Sequence, residues 1–236
     1  MLLYYVRHGD PIYNPDSLTP LGQRQAEAVG RRLAMHGIDK IYASTSQRAI
    51  LTATPLSEIM HMSIETLDFA NETHAWNELG YVTPNGRRWL FHLPQFKGLF
   101  HSDEIIRLGD KWYTHEAFAD YNYKTGLDRI AKGTNAFLED LGYRCLGRGK
   151  YEVLEPKYER VALFAHQGFG LAFLSNVIGI PYPTFTTHFD ISHSSFTVID
   201  FQEEEGYAYP KVLTLSNDSH IYKEGLPTKY NNVKYI

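Results

Sequence analysis

The run Leu2-Leu3-Tyr4-Tyr5-Val6-Arg7-His8-Gly9 carries five apolar residues straight into an arginine and a histidine. A short continuous apolar run of this kind fits a strand buried on both faces, the strand type of parallel sheets. In open α/β sheets ligands bind in the crevice beyond the carboxyl ends of such strands. The pattern returns downstream, where Val161-Ala162-Leu163-Phe164-Ala165 leads into His166, with Gly168 and Gly170 close behind and expected to let backbone approach whatever is bound. Two histidines at strand ends suit phosphoryl chemistry. A neutral imidazole can attack phosphorus as a nucleophile, and the planar fork of arginine matches the phosphoryl oxygens.

Outward from these strands, strand-like and helix-like segments alternate. The alternation predicts an α/β chain, a three-layer α/β/α sandwich around a mostly parallel central sheet. Thr19 suits an N-cap with Pro20 at the first helical position, Ala26, Val29 and Leu33 fall at helical spacing, and Gly37 can close that helix. Residues 38–43 read as a strand. Ser44, Thr45 or Ser46 then caps a helix with Arg48 in its first turn, which Pro55 is expected to kink or end. An amphipathic helix is expected over 126–141, and strands over 160–165, 195–201 and 211–216. The chain reads as one domain, 1–236, with an aromatic-rich insertion at about 76–125. All three tryptophans, Trp76, Trp89 and Trp112, fall in that insertion. Three roles stay open for it: an excursion around its own small core, a cap over the site, or a homodimer contact.

Composition narrows the partners. A formal charge of −4 and a pI near 6.2 argue against a nucleic-acid or anionic-membrane surface, so any anion site must be local. Cys145 is the single cysteine and excludes an internal disulfide. The N-terminal apolar stretch is too short for a signal peptide or a membrane span, so a cytoplasmic location is expected. Eleven histidines include no His-x-His pair and no His-Glu-x-x-His, so no metal is expected. His188 and His193 read as turn or strand-edge residues. His74 stands out only because it lies two residues from Glu72.

Several motifs in order resemble the histidine phosphatase superfamily, the phosphoglycerate-mutase-like family. They are Arg7-His8-Gly9, Asn14, the helix start Leu18-Thr19-Pro20-Leu21-Gly22-Gln23, the segment Ile41-Tyr42-Ala43-Ser44 with Arg48-Ala49, then Asn71-Glu72-Thr73-His74, His166, and Asn217-Asp218 with His220. The resemblance covers most of the chain but is thin between about 77 and 150. It implies a phosphomonoester hydrolase of the phosphatase branch that works through a phosphohistidine, on a small phosphorylated metabolite, without metal or other cofactor. On that basis His8 is the nucleophile, Arg7, Asn14, Arg48 and His166 hold the phosphoryl group, and Glu72 is the proton donor. Asp68 and Glu78 are the competing carboxylates. Three positions depart from the family pattern: Gln167 and Leu171 replace its frequent Gly and Arg, and Asp10-Pro11 replaces its usual Glu. A mutase-type phosphotransferase is the alternative activity, disfavoured because the Gly-Asn-Ser that follows the second histidine in mutases is missing after His166. A catalytically inactive binding member is the third.

Overall fold

The structure, a computed structural model, describes residues 1–228. Its central sheet is built from β1 (Leu2–Arg7), β2 (Lys40–Ser44), β3 (Ile64–Leu67), β4 (Arg160–Ala165), β5 (Phe196–Asp200) and β6 (Lys211–Asn217). Across the sheet the order is β6-β5-β1-β4-β2-β3. β1, β4, β2 and β3 run parallel, and β5 is antiparallel to both of its neighbours. The layers follow from side-chain alternation along a strand. Leu3 and Tyr5 enter one core with Leu163 and Ala165, whereas Tyr4 and Val6 enter the other with Ala162 and Phe164. Helices α1 (Pro20–Ala34) and α2 (Gln47–Met60) close the second core with Val29, Leu33, Ala53 and Leu56. On the opposite face lie α3 (Glu72–Leu79), α4 (Tyr123–Asp140) and α5 (Gln167–Ile178), which contribute Ala75, Ile130 and Phe169.

Local chemistry explains the first helix. Thr19 caps α1, its hydroxyl accepting the Gly22 N–H at 3.0 Å, and Pro20 sits where a missing N–H is harmless. Pro55 departs from expectation, because α2 runs through it to Met60. The cost of a proline inside a helix, about 3 kcal/mol, is offset by tertiary packing. A Cβ on Gly30 would lie 3.0 Å from Pro55 Cβ, so the bare glycine lets α1 and α2 meet at the proline while Ala53 and Leu56 are buried beside it.

The aromatic segment does not enclose a separate core. Trp112, Phe118 and Tyr123 belong to the same continuous cluster as Leu3 and Leu163, with Trp112 stacked between Tyr123 and Tyr182 at 5.5 and 5.6 Å. A small hairpin within the segment, Gly80–Thr83 paired with Gly86–Trp89, brings the Trp89 ring onto Gly168 at the start of α5. No helix among the described residues is long and apolar enough to cross a membrane.

Candidate active site

From β1 the chain crosses through α1 to β2, and from β4 it crosses through α5 toward β5, on the other side of the sheet. The paths diverge at the carboxyl ends of β1 and β4, which opens a crevice there. Arg7 is in register with Ala165, so His8 and His166 leave the sheet as neighbours. The His8 N–H donates to the Ala165 carbonyl at 2.9 Å, and the two imidazole centroids are 5.2 Å apart. Both rings are buried.

The tautomer of His8 follows from its partner. Nδ1 lies 2.7 Å from the Gly9 carbonyl, which can only accept, so Nδ1 carries the proton and Nε2 keeps its lone pair. Burial holds the His8 pKa well below the ordinary value, helped by His166, Arg7 and Arg48 and opposed by the Gly9 hydrogen bond. His166 is likewise held low, first by burial and then by Arg48 and Arg7. Both imidazoles are therefore neutral near pH 7. The Tyr5 hydroxyl clamps the His166 backbone, donating to its carbonyl at 2.7 Å and accepting its N–H at 3.2 Å, while His166 Nε2 meets Ser44 Oγ at 2.8 Å. Ser44 thus serves His166, and Ser46 occupies the N-cap position of α2.

Two arginines flank the pair. Arg7 donates through Nη1 to the Ile191 carbonyl at 2.6 Å, and Arg48, in the first turn of α2, pairs with Asp16 at 2.8 Å. Three buried polar atoms of this group have no partner among the described residues: Arg7 Nε, Arg48 Nε and His166 Nδ1. Buried polar groups are almost always satisfied, so these three atoms, set around the two strand-end histidines, suit a polar ligand there.

Glu72 opens α3, with Asn71 as the cap accepting the Thr73 N–H at 2.9 Å. Its carboxylate is seized by the start of α5: Oε1 accepts the Gly168 N–H at 2.9 Å and Oε2 the Phe169 N–H at 2.8 Å. Withdrawal from water raises its pKa above the ordinary carboxylate value, against the pull of those two donors and of Arg48 and Arg7. A cavity of about 820 Å³ is lined by Arg7, His8, Arg48 and Glu72 together with Trp76 and Trp89. The competing carboxylates lie elsewhere. Glu78 is gripped by Arg129 through both oxygens at 2.8 Å, and Asp68 is exposed beside His74.

The structure places two groups of residues differently from the sequence expectation. Asn14 is not among the residues that line the cavity: it lies exposed at the turn between Pro11–Tyr13 and Asp16–Leu18, ahead of Pro15, and Asp16 from the far strand pairs with Arg48. Gly168 and Gly170 do not clear room for a ligand either. A Cβ on Gly168 would strike the Trp89 ring and one on Gly170 the Tyr5 hydroxyl, so these glycines admit the chain's own aromatics. Sequence reading also missed residues that line the cavity, namely Arg88, His92 and His193. His193 is held by Arg7 Nη2 at 2.8 Å and its ring lies 5.5 Å from His8. No spacing signal marks it, because it comes from the loop before β5 rather than from a strand end. Among the described residues no group of three or more His, Cys, Asp and Glu is gathered as a metal site would need.

Residues 3–82 match the family model of the histidine phosphatase superfamily (branch 1). The PE-PGRS family protein PE_PGRS11 of Mycobacterium tuberculosis is 32% identical over 103 residues, which takes in 38% of this chain and only 18% of that protein. Among solved structures, a mycobacterial glucosyl-3-phosphoglycerate phosphatase complexed with VO3 superposes with a TM-score of 0.59 at 17% identity, over 91% of this chain and 98% of the other. A phosphoserine phosphatase mutant of Entamoeba histolytica in complex with phosphoserine gives 0.59 at 15% identity, over 93% and 98%. A putative alpha-ribazole-5'-P phosphatase of Escherichia coli gives 0.60 at 16% identity, over 92% and 98%. At these identities the likeness is one of fold.

Proposed function

We propose that this member of the histidine phosphatase superfamily hydrolyses a small phosphomonoester through a phosphohistidine formed on His8. The observation that carries the reading is the fixed tautomer of His8, which leaves Nε2 a lone pair in a site that also holds two buried, unpartnered arginine donors, Arg7 Nε and Arg48 Nε, and the buried, unpartnered Nδ1 of His166. In the first step Nε2 attacks phosphorus in line, the ester P–O bond breaks, and the departing alkoxide takes the proton of Glu72. Arg7, Arg48 and His166 stabilise the phosphoryl oxygens as charge builds on them. In the second step water attacks phosphorus, Glu72 as carboxylate takes its proton, the N–P bond breaks, and inorganic phosphate leaves. Protein cations provide the positive charge, so a chelator is expected to leave the rate unchanged.

The described residues 1–228 act as one domain, whose segment 76–125 forms the wall around the leaving group. Trp76, packed edge-on against Trp89 at 4.9 Å, supplies an apolar face, with Arg88 and His92 near it. The cavity far exceeds one phosphoryl group, which leaves room for a sizeable alcohol portion. A cytoplasmic site of action belongs to the same reading and rests on the single cysteine. The test is phosphate release from a panel of phosphomonoesters, with and without chelator. The panel starts from glucosyl-3-phosphoglycerate, phosphoserine and alpha-ribazole phosphate and adds sugar and nucleoside phosphates. Release from none of them, with no phosphoenzyme, would overturn the proposal.

A further inference from the structure

We propose that His193 is a positioning residue that aims the Arg7 guanidinium at the phosphoryl site, and that Asp10 and Thr19 hold it in the tautomer this requires. The kinetic consequence rests on the phosphatase reading above; the consequence for anion binding does not.

Arginine is a donor only, so in the 2.8 Å contact between Arg7 Nη2 and His193 Nε2 the imidazole nitrogen must accept. A neutral His193 then carries its proton on Nδ1. That nitrogen faces Asp10 Oδ1 at 3.6 Å, and a carboxylate there favours the protonated Nδ1. Asp10 is itself fixed. Its Oδ2 accepts the Thr19 hydroxyl at 2.8 Å and its N–H donates to Gln25 Oε1 at 2.8 Å. The same Thr19 oxygen caps α1 by accepting the Gly22 N–H, and a Cβ on Gly22 would strike the Asp10 carbonyl, so only glycine lets the helix start lie this close.

The contacts form one chain, from the α1 N-terminus through Thr19, Asp10 and His193 to Arg7. At its end the guanidinium plane is pinned at two points, Nη1 on the Ile191 carbonyl and Nη2 on His193. The remaining donors, including the buried Nε, are left for an anion beside His8. With the His193 proton on Nε2, two donors would oppose each other and the fork would turn. Orientation matters because misplacement by about 1 Å can cost on the order of a hundredfold in rate.

The experiment uses the full-length protein, with orthovanadate and inorganic phosphate as titrants in calorimetry, p-nitrophenyl phosphate kinetics, and thermal melts to exclude misfolding. His193→Ala is expected to lower kcat/KM about tenfold, mostly in kcat, and to weaken vanadate in parallel. His193→Gln supplies an amide oxygen as acceptor and is expected to recover to within about threefold of wild type. Asp10→Ala should impair the protein that has His193 but add nothing in the His193→Gln background, where no tautomer needs setting. Wild-type kinetics and vanadate affinity in His193→Ala would overturn the proposal. So would His193→Gln as weak as His193→Ala, since the imidazole would then act on the substrate itself, or an Asp10→Ala effect equal in both backgrounds. If the wild type shows no turnover at all, the function proposed above fails, while the calorimetry still decides the role of His193.

Discussion

Glu72→Gln separates what this carboxyl group does for the reaction from what it does for the fold. Its two oxygens each accept a backbone N–H of α5, at 2.9 and 2.8 Å. Glutamine offers one oxygen and one NH2, so one of those N–H groups comes to face another donor. An unpaired buried N–H costs about 1–3 kcal/mol, or roughly 2–12 °C in Tm for a chain of this size. The rate effect is larger and depends on the substrate. Loss of a general acid costs about 10²–10⁴-fold, roughly 3–5 kcal/mol, on an alkyl phosphate whose leaving group needs a proton. p-Nitrophenyl phosphate loses its phenolate unaided, so the variant should still release a burst of p-nitrophenolate equal to the enzyme present and then turn over slowly. Asp68→Asn should leave both rates within about twofold, because its carboxylate is 78% exposed and is not among the residues that line the cavity. Glu78→Gln should lower Tm through its lost bidentate bond to Arg129 without discriminating between esters. Equal modest losses on both esters in Glu72→Gln, with the selective loss appearing in either of the other variants, would refute the assignment.

Phosphorylation needs His8 neutral and Glu72 protonated, and burial lowers the first pKa while raising the second. Alkyl-ester turnover should therefore fall at low pH as His8 gains a proton and at high pH as Glu72 loses one. A rate–pH profile on p-nitrophenyl phosphate should show a weaker high-pH fall. His220 is buried against Ser194 Oγ at 3.0 Å, and burial pushes its pKa down from 6.5 to about 4. Because the unfolded chain binds the proton first, stability is present above about pH 6.5 and drains away as pH falls toward 4. The loss is about 3 kcal/mol from this residue, read as Tm against pH, and His220→Gln should flatten the slope. Gly168→Ala drives a methyl group into the Trp89 ring and should cost about 1–3 kcal/mol by thermal melt while shrinking the cavity wall, with weaker binding of bulky esters.

The parts of the fold legible in the sequence are those encoded locally. The apolar runs 2–6 and 161–165 end in histidines because parallel strands buried on both faces must be apolar throughout, and their adjacency in the sheet brings His8 and His166 together. Thr19-Pro20 marks a helix start by chemistry confined to a few residues. What was not legible depends on partners far away in the chain. Pro55 lies inside a helix because Gly30 makes room for it, Gly168 is bare because Trp89 lies on it, and His193 enters the site because Arg7 reaches across from β1. Asn14 is a related case: it sits exposed at the hairpin turn, outside the residues that line the cavity, and the partner Arg48 takes from this hairpin is Asp16.

The central claim is that His8 becomes covalently phosphorylated. Rapid acid-free quench of the wild-type protein with p-nitrophenyl phosphate, followed by peptide mass spectrometry, reads this directly. The expected result is an added phosphoryl group on the peptide containing His8, labile to acid and stable to base, absent in His8→Ala together with turnover. Turnover that persists in His8→Ala, or a wild-type enzyme that turns over while no phosphoryl group can be trapped on His8, would contradict it.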